Sequence, residues 1–103
     1  MAYTLLNPSV KVTEIASGGR THAYASGKLV TIIFDHTITT TSTYETIATL
    51  PAGYAPPYGI YAKAIIPNNT TSDARCAVDT TGKILAWCNT ASRIYGNISY
   101  LVP

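Results

Sequence analysis

Asp73, Arg75 and Trp87 are the residues whose types and spacing best support chemistry in this chain, and the chemistry they support is binding. Thr80-Thr81-Gly82 has the form of a three-residue hairpin loop with Gly82 in the left-handed position, which sets Val78 opposite Ile84, Cys76 opposite Ala86 and Arg75 opposite Trp87. A guanidinium opposite an indole can lie over its ring. Asp73 and Asn89 belong to the polar loops at the open end of the same hairpin. The chain carries 8 Tyr and 1 Trp beside 1 Phe. Tyr and Trp offer a flat apolar face with a polar handle, which is what sugars and glycerol-phosphate polymers need from a site. Tyr58, Tyr61, Arg93 and Tyr95 are further candidates for ligand contact. Tyr24, Tyr54 and Tyr100 are expected in packing roles, and subunit packing is the rival role for Trp87.

Catalysis is not expected. The carboxylates are Glu14, Asp35, Glu45, Asp73 and Asp79, and no pair is spaced like glycosidase acids on defined elements. Asp35 and His36 are adjacent, but neighbours on a strand point to opposite faces and make a poor dyad. His22 and His36 are the only histidines, without an H-x-H, H-x-x-x-H or C-x-x-C spacing, so neither a metal site nor a cofactor is expected. Cys76 and Cys88 share a face of the hairpin but sit diagonally, about 7 to 8 Å apart, beyond comfortable bridging distance. They are expected as small buried hydrophobes. A net charge of +2 spread without a run argues against nucleic acid. No apolar run approaches the roughly 18 to 20 residues of a membrane span, and the N-terminus lacks the pattern of a secretory signal.

The elements that must position these side chains are strands. A chain of 103 residues rich in Thr, Ile, Val, Ala and Tyr is one domain with almost no helix. Val10 to Ala16 fits a first or edge strand, Ser17-Gly18-Gly19 a turn, and Thr21 to Ala25 a short strand. Lys28 to His36 is the clearest strand and is expected to be central; its apolar run implies burial on both faces, one in the core and one in a subunit contact. Thr37 to Thr43 is nearly all Thr and is expected as a loop. Tyr44 to Leu50, Tyr58 to Ile66, Arg75 to Asp79, Lys83 to Cys88 and Ile98 to Val102 complete the set, with a polar loop at 67–73. Between the strands ending at Leu50 and beginning at Tyr58, Pro51 removes a ladder donor, Gly53 can take a positive φ and Tyr54 can lie over the strand end. About eight short strands imply an antiparallel β-sandwich or jelly-roll-like barrel. Only 12% of residues are charged, so the surface is covered by Thr, Asn, Ser and Tyr or by another subunit.

Three phrases carry a resemblance over roughly residues 15–102. Thr49-Leu50-Pro51-Ala52-Gly53-Tyr54-Ala55-Pro56 is similar to a strand-ending "tLPaGYrP" phrase, Tyr24-Ala25-Ser26-Gly27-Lys28-Leu29-Val30 to a "Y-x-x-G-x-x-V" opening, and Val78 to Ile84 to an "i-x-x-x-G-x-i" hairpin. In this order they resemble the C-terminal head domains of bacteriophage tail-fibre and baseplate receptor-binding proteins. Ala55 departs from a position that is usually basic, and residues 37–43 have no fixed counterpart. The resemblance implies a β-sandwich head ending a longer fibre, a homotrimer, and recognition of a bacterial cell-wall polysaccharide or teichoic-acid-like glycan during host adsorption. It implies a virion location after assembly in the bacterial cytoplasm. Two other roles fit the same residues: a structural trimerisation cap, and a monomeric carbohydrate-binding module.

Overall fold

The computed structural model describes residues 11–69 and 71–103. Among them the order is β1 (Thr13–Gly18), β2 (Thr21–Ser26), β3 (Leu29–Thr37), β4 (Glu45–Thr49), β5 (Ile60–Lys63), β6 (Ala74–Val78), β7 (Lys83–Cys88) and β8 (Arg93–Leu101), with no helix. The strands form two antiparallel four-stranded sheets, β1-β2-β3-β8 and β4-β7-β6-β5, which is the expected β-sandwich.

Alternation decides which side chains enter the core. In β3, Val30, Ile32 and Phe34 are buried, and from the facing sheet Cys76, Val78 and Ile84 meet them, with Ile98 and Tyr100 of β8 alongside. A second cluster of Ile38, Ala74, Ala86, Cys88 and Ile94 fills the other end. The expectation that β3 is buried on both faces is corrected within the chain. Leu29 and Ile33 are 43% and 49% exposed, because the opposite parity of the strand faces solvent. The final strand begins at Arg93 rather than Ile98, since β8 pairs with β3 along its whole length, from Leu29↔Leu101 to Thr37↔Arg93. The strand expected over 58–66 is regular only at Ile60–Lys63. Val10, the expected start of the first strand, lies outside the described residues.

The hairpin register is as expected, with Arg75↔Trp87, Cys76↔Ala86 and Val78↔Ile84. Gly82 sits at φ +89, and the Asp79 carboxylate accepts from Thr81 N, Thr81 Oγ1 and Lys83 N. The proline corner also forms: Gly53 has φ +94, Tyr54 N–H donates to the Pro51 carbonyl, and the Tyr100 hydroxyl donates to the Tyr54 carbonyl at 2.6 Å. That last bond ties the corner to β8. Cys76 and Cys88 are free and buried. Gly96 of β8 makes room for the first of them, because a Cβ at that position would lie 2.9 Å from Cys76 Sγ.

The two long sides of the sandwich are closed differently. On one, Ile65 pairs with Tyr95 through two backbone bonds of 2.7 and 2.9 Å, stitching the segment after β5 to β8. On the other, the edge strands β1 and β4 both carry irregularities, between Glu14 and Ala16 and between Thr46 and Ala48. Each extra isoleucine, Ile15 and Ile47, packs against the core.

Candidate functional site

The outer face of the β4-β7-β6-β5 sheet collects the side chains that can bind a ligand. Register places Lys63 beside Arg75 and Arg75 beside Trp87, and the row runs on toward Tyr44, the residue before β4. The next row holds Tyr61, Ala77, Leu85 and Thr46. Residues directly opposite on antiparallel strands share a face within about 5 Å, so the rows are continuous ridges.

Arg75 is the centre of the first row. Its Cζ lies 4.9 Å from the Trp87 ring centroid, and its Nη2 donates to Asp73 Oδ2 at 2.7 Å. The hydrogen bond to Asp73, with Tyr44 next in effect, raises the Arg75 pKa further above an already high value. Asp73 is itself placed by the hairpin end, where its N–H donates to Asn89 Oδ1 and its carbonyl accepts from Asn89 N. Asp73 Oδ1 lies 3.9 Å from Lys63 Nζ. The Asn69 side chain accepts from Thr71 N and Ser72 N, which fixes the loop leading into Asp73.

The rings stand around this ion cluster. Tyr44 meets Tyr61 edge-on at 6.0 Å between centroids and Trp87 at 6.4 Å with a 43° tilt. A groove of about 280 Å³ runs between Tyr61, Ala62, Lys63 and Arg75. It offers an aromatic edge and two cations, both of which pair with the neighbouring Asp73 carboxylate. That combination stacks against a sugar ring and pairs with its hydroxyls or acidic substituents.

The expected site residues divide. Trp87, Arg75, Asp73 and Tyr61 come together on this face. Tyr58 lies before β5, 79% exposed, and among the described residues no ring is stacked on it. Arg93 and Tyr95 are on the other sheet and do not join the cluster. Arg93 donates twice to the Asp35 carboxylate, at 2.7 and 2.8 Å, and its Cζ lies 5.1 Å from the Tyr95 ring. Those hydrogen bonds from Arg93 lower the Asp35 pKa. The separation arises because β7 leads into β8 across the sandwich.

Tyr44 and Lys63 are the residues that sequence reasoning missed. Lys63 was hidden by the ten-residue connection to β6, which leaves the β5 register open. Tyr44 was hidden because β4 pairs with β7, a strand far away in sequence. Counting parity from Tyr61 gives Lys63 the same outward face, and that was the one available signal.

Just behind Tyr44, Glu45 organises the Thr-rich loop. Its Oε1 accepts from His36 Nε2 at 2.7 Å, and its Oε2 accepts from Thr39 N, Thr39 Oγ1 and Thr40 N at 3.1, 2.8 and 2.6 Å. Burial raises the carboxyl pKa, but these hydrogen bonds, led by His36, outweigh it and bring the value down to about 2. His36 and Asp35 therefore serve different partners on opposite faces, as alternation requires. Among the described residues no group of three or more His, Cys, Asp or Glu side chains could hold a metal ion, and no helix is long and apolar enough to cross a membrane. No protein-family model matches this chain, and no curated protein matches it.

Proposed function

We propose that this chain is the receptor-binding tip of a bacteriophage tail fibre or baseplate, a homotrimer that binds a saccharide of the bacterial surface through the Trp87 face. The observation that carries the reading is the Tyr44–Trp87–Arg75–Tyr61 cluster on a solvent-facing sheet. Aromatic rings with polar handles are held there by an ion network and stand outside the core. The three sequence phrases that resemble phage head domains support the fibre assignment, and two of them form the corner and the hairpin that shape the same sheet. A shallow groove of this size gives weak affinity per copy, and several copies on one particle supply avidity.

The test is adsorption of the chain to a panel of purified bacterial cell-wall polysaccharides. Trp87→Ala and Arg75→Ala are each expected to weaken binding by about tenfold to a hundredfold, the range of a central aromatic or arginine anchor. Melting temperature and solution mass are expected to stay as in the parent. Binding that ignores both substitutions sinks the site, and a chain that adsorbs to no wall in the panel sinks the function. Loss of the assembled mass in Trp87→Ala would favour the structural cap instead.

A further inference from the structure

We propose that the outer face of the β1-β2-β3-β8 sheet is covered by further copies of this chain. The proposal deepens the fibre-tip reading, and the copy number of three rests on that reading. Val12, Leu29, Ile33 and Leu101 stand on or beside this face at 67%, 43%, 49% and 68% exposure. All four are aliphatic, whereas the opposite sheet exposes Tyr61, which keeps a hydroxyl for water. Between them, Thr31 and Ser99 hydrogen-bond to each other at 3.0 Å and leave that row already satisfied. From Leu29 to Ile33, from Asn97 to Leu101 and from His22 to Ser26, the outward side chains include no Lys, Arg, Asp or Glu. Exposed aliphatic side chains at this density mark a surface meant to be covered.

Two further observations identify the occupant as a second copy. The face holds both a projection and a recess: Leu101 protrudes, and a hollow of about 230 Å³ lies between Val12, Tyr24, Leu29 and Thr31. A patch with both lets the projection of one copy enter the recess of the next, the heterologous contact by which a ring of identical chains closes. Glu14, hydrogen-bonded to His22, stands on the edge strand β1, and Arg20, Asp35 and Arg93 gather at one end of the face. An apolar centre with a polar rim is the anatomy of an interface. Two nine-residue and two six-residue strands at ~4.8 Å spacing, rising ~3.3 Å per residue, give roughly 480 Å² before side-chain relief, a little over half of the ~800 Å² that each partner gives a standard interface.

Among the described residues β1 and β4 are bulged, and β8 is stitched at Tyr95 to the segment after β5, which obstructs flat edge-to-edge pairing at those points.

The experiment is light scattering on the chain from about 10 μM to about 1 mM, with Ile33→Asp combined with Leu101→Asp as the variant. The expected result is a mass that is a multiple of 11.0 kDa, threefold on the fibre-tip reading, falling to 11.0 kDa in the variant with cooperative melting retained. Leu101→Cys guards against a variant that does not fold: mild oxidation is expected to give disulfide-linked pairs, while Lys83→Cys on the other sheet stays single. A parent that is monomeric throughout, an oligomer that survives both aspartates, or failure of Leu101→Cys to cross-link overturns the proposal. Wall binding separates the two readings. A monomeric chain whose adsorption still depends on Trp87 refutes this surface alone, and an oligomer that adsorbs to no wall refutes the saccharide site alone.

Discussion

Replacing Glu45 with alanine is expected to lower the melting temperature by roughly 10 to 20 °C, at about 4 to 8 °C per kcal/mol for a domain this small. Among the described residues the carboxylate is the single acceptor for His36 Nε2 and for the N–H groups of Thr39 and Thr40, and its side chain is only 15% exposed. Truncation takes the partner from part-buried His36 and leaves the exposed Thr39 and Thr40 N–H groups to water, a loss of about 2 to 3 kcal/mol in charge-assisted hydrogen bonds. Glu45→Gln is expected to lose less, because one carbonyl oxygen remains as an acceptor. The pH dependence has a definite sign. The folded carboxyl is depressed from its ordinary 4.5 to about 2, so its stabilisation is complete above pH 4.5 and is lost as the pH falls through about 2. The shift corresponds to about 3 kcal/mol. Urea melts of the parent between pH 5 and pH 2 should therefore decline more steeply than those of Glu45→Ala. Parallel slopes would show that the hydrogen-bonded carboxylate is not the origin of the acid sensitivity. Because Tyr44 precedes Glu45 directly, the same substitution should weaken wall binding without touching the groove.

Gly18→Ala is expected to destabilise the fold by about 2 to 3 kcal/mol, the cost of forcing a side chain into a packed site. Gly18 ends β1 where that strand lies against β4. A Cβ there would meet the Ile47 carbonyl oxygen inside contact distance and stand 2.8 Å from Ile47 Cγ2. The obstacle is backbone rather than the end of a flexible chain, so relief requires β1 to move off β4. Ser17→Ala, one residue earlier and exposed, is expected to stay within about 0.5 kcal/mol of the parent. Denaturant midpoints for the two variants check the contrast, and equal midpoints would mean that the two strands separate easily.

What could be read from the sequence follows the range of the interaction. The Arg75↔Trp87 register was legible because Gly82 fixes a local loop, and the corner at Gly53 was legible because proline and glycine restrict their own backbones. β3 was legible as a central strand from its β-branched run. The pairing of β4 with β7, and of β3 with the first half of β8, was not, because neither is set by a turn. That gap had a consequence for the site. Arg93 and Tyr95 resemble Arg75 and Trp87 as a cation beside a ring, and only the crossing between sheets distinguishes them. The Thr-rich stretch was legible as a loop, but the buried Ile38 within it and the Glu45 carboxylate behind it were not, since a polar run gives no sign of what anchors it.

The two thiols turn the sandwich into a reporter of its own opening. Burial pushes the Cys76 thiol up to about 11, and the absence of a side chain at Gly96 lets its sulfur sit where no reagent can enter. Cys88 is equally enclosed, but in the cluster around Ile38 and Ile94. Modification by an aromatic disulfide should then wait for opening, with Cys88 timing the end beside the Thr-rich loop and Cys76 timing the main core. Equal rates at both would describe a module that opens only as a whole, whereas faster modification of Cys88 would show that the end bearing Tyr44 breathes while the rest stays shut.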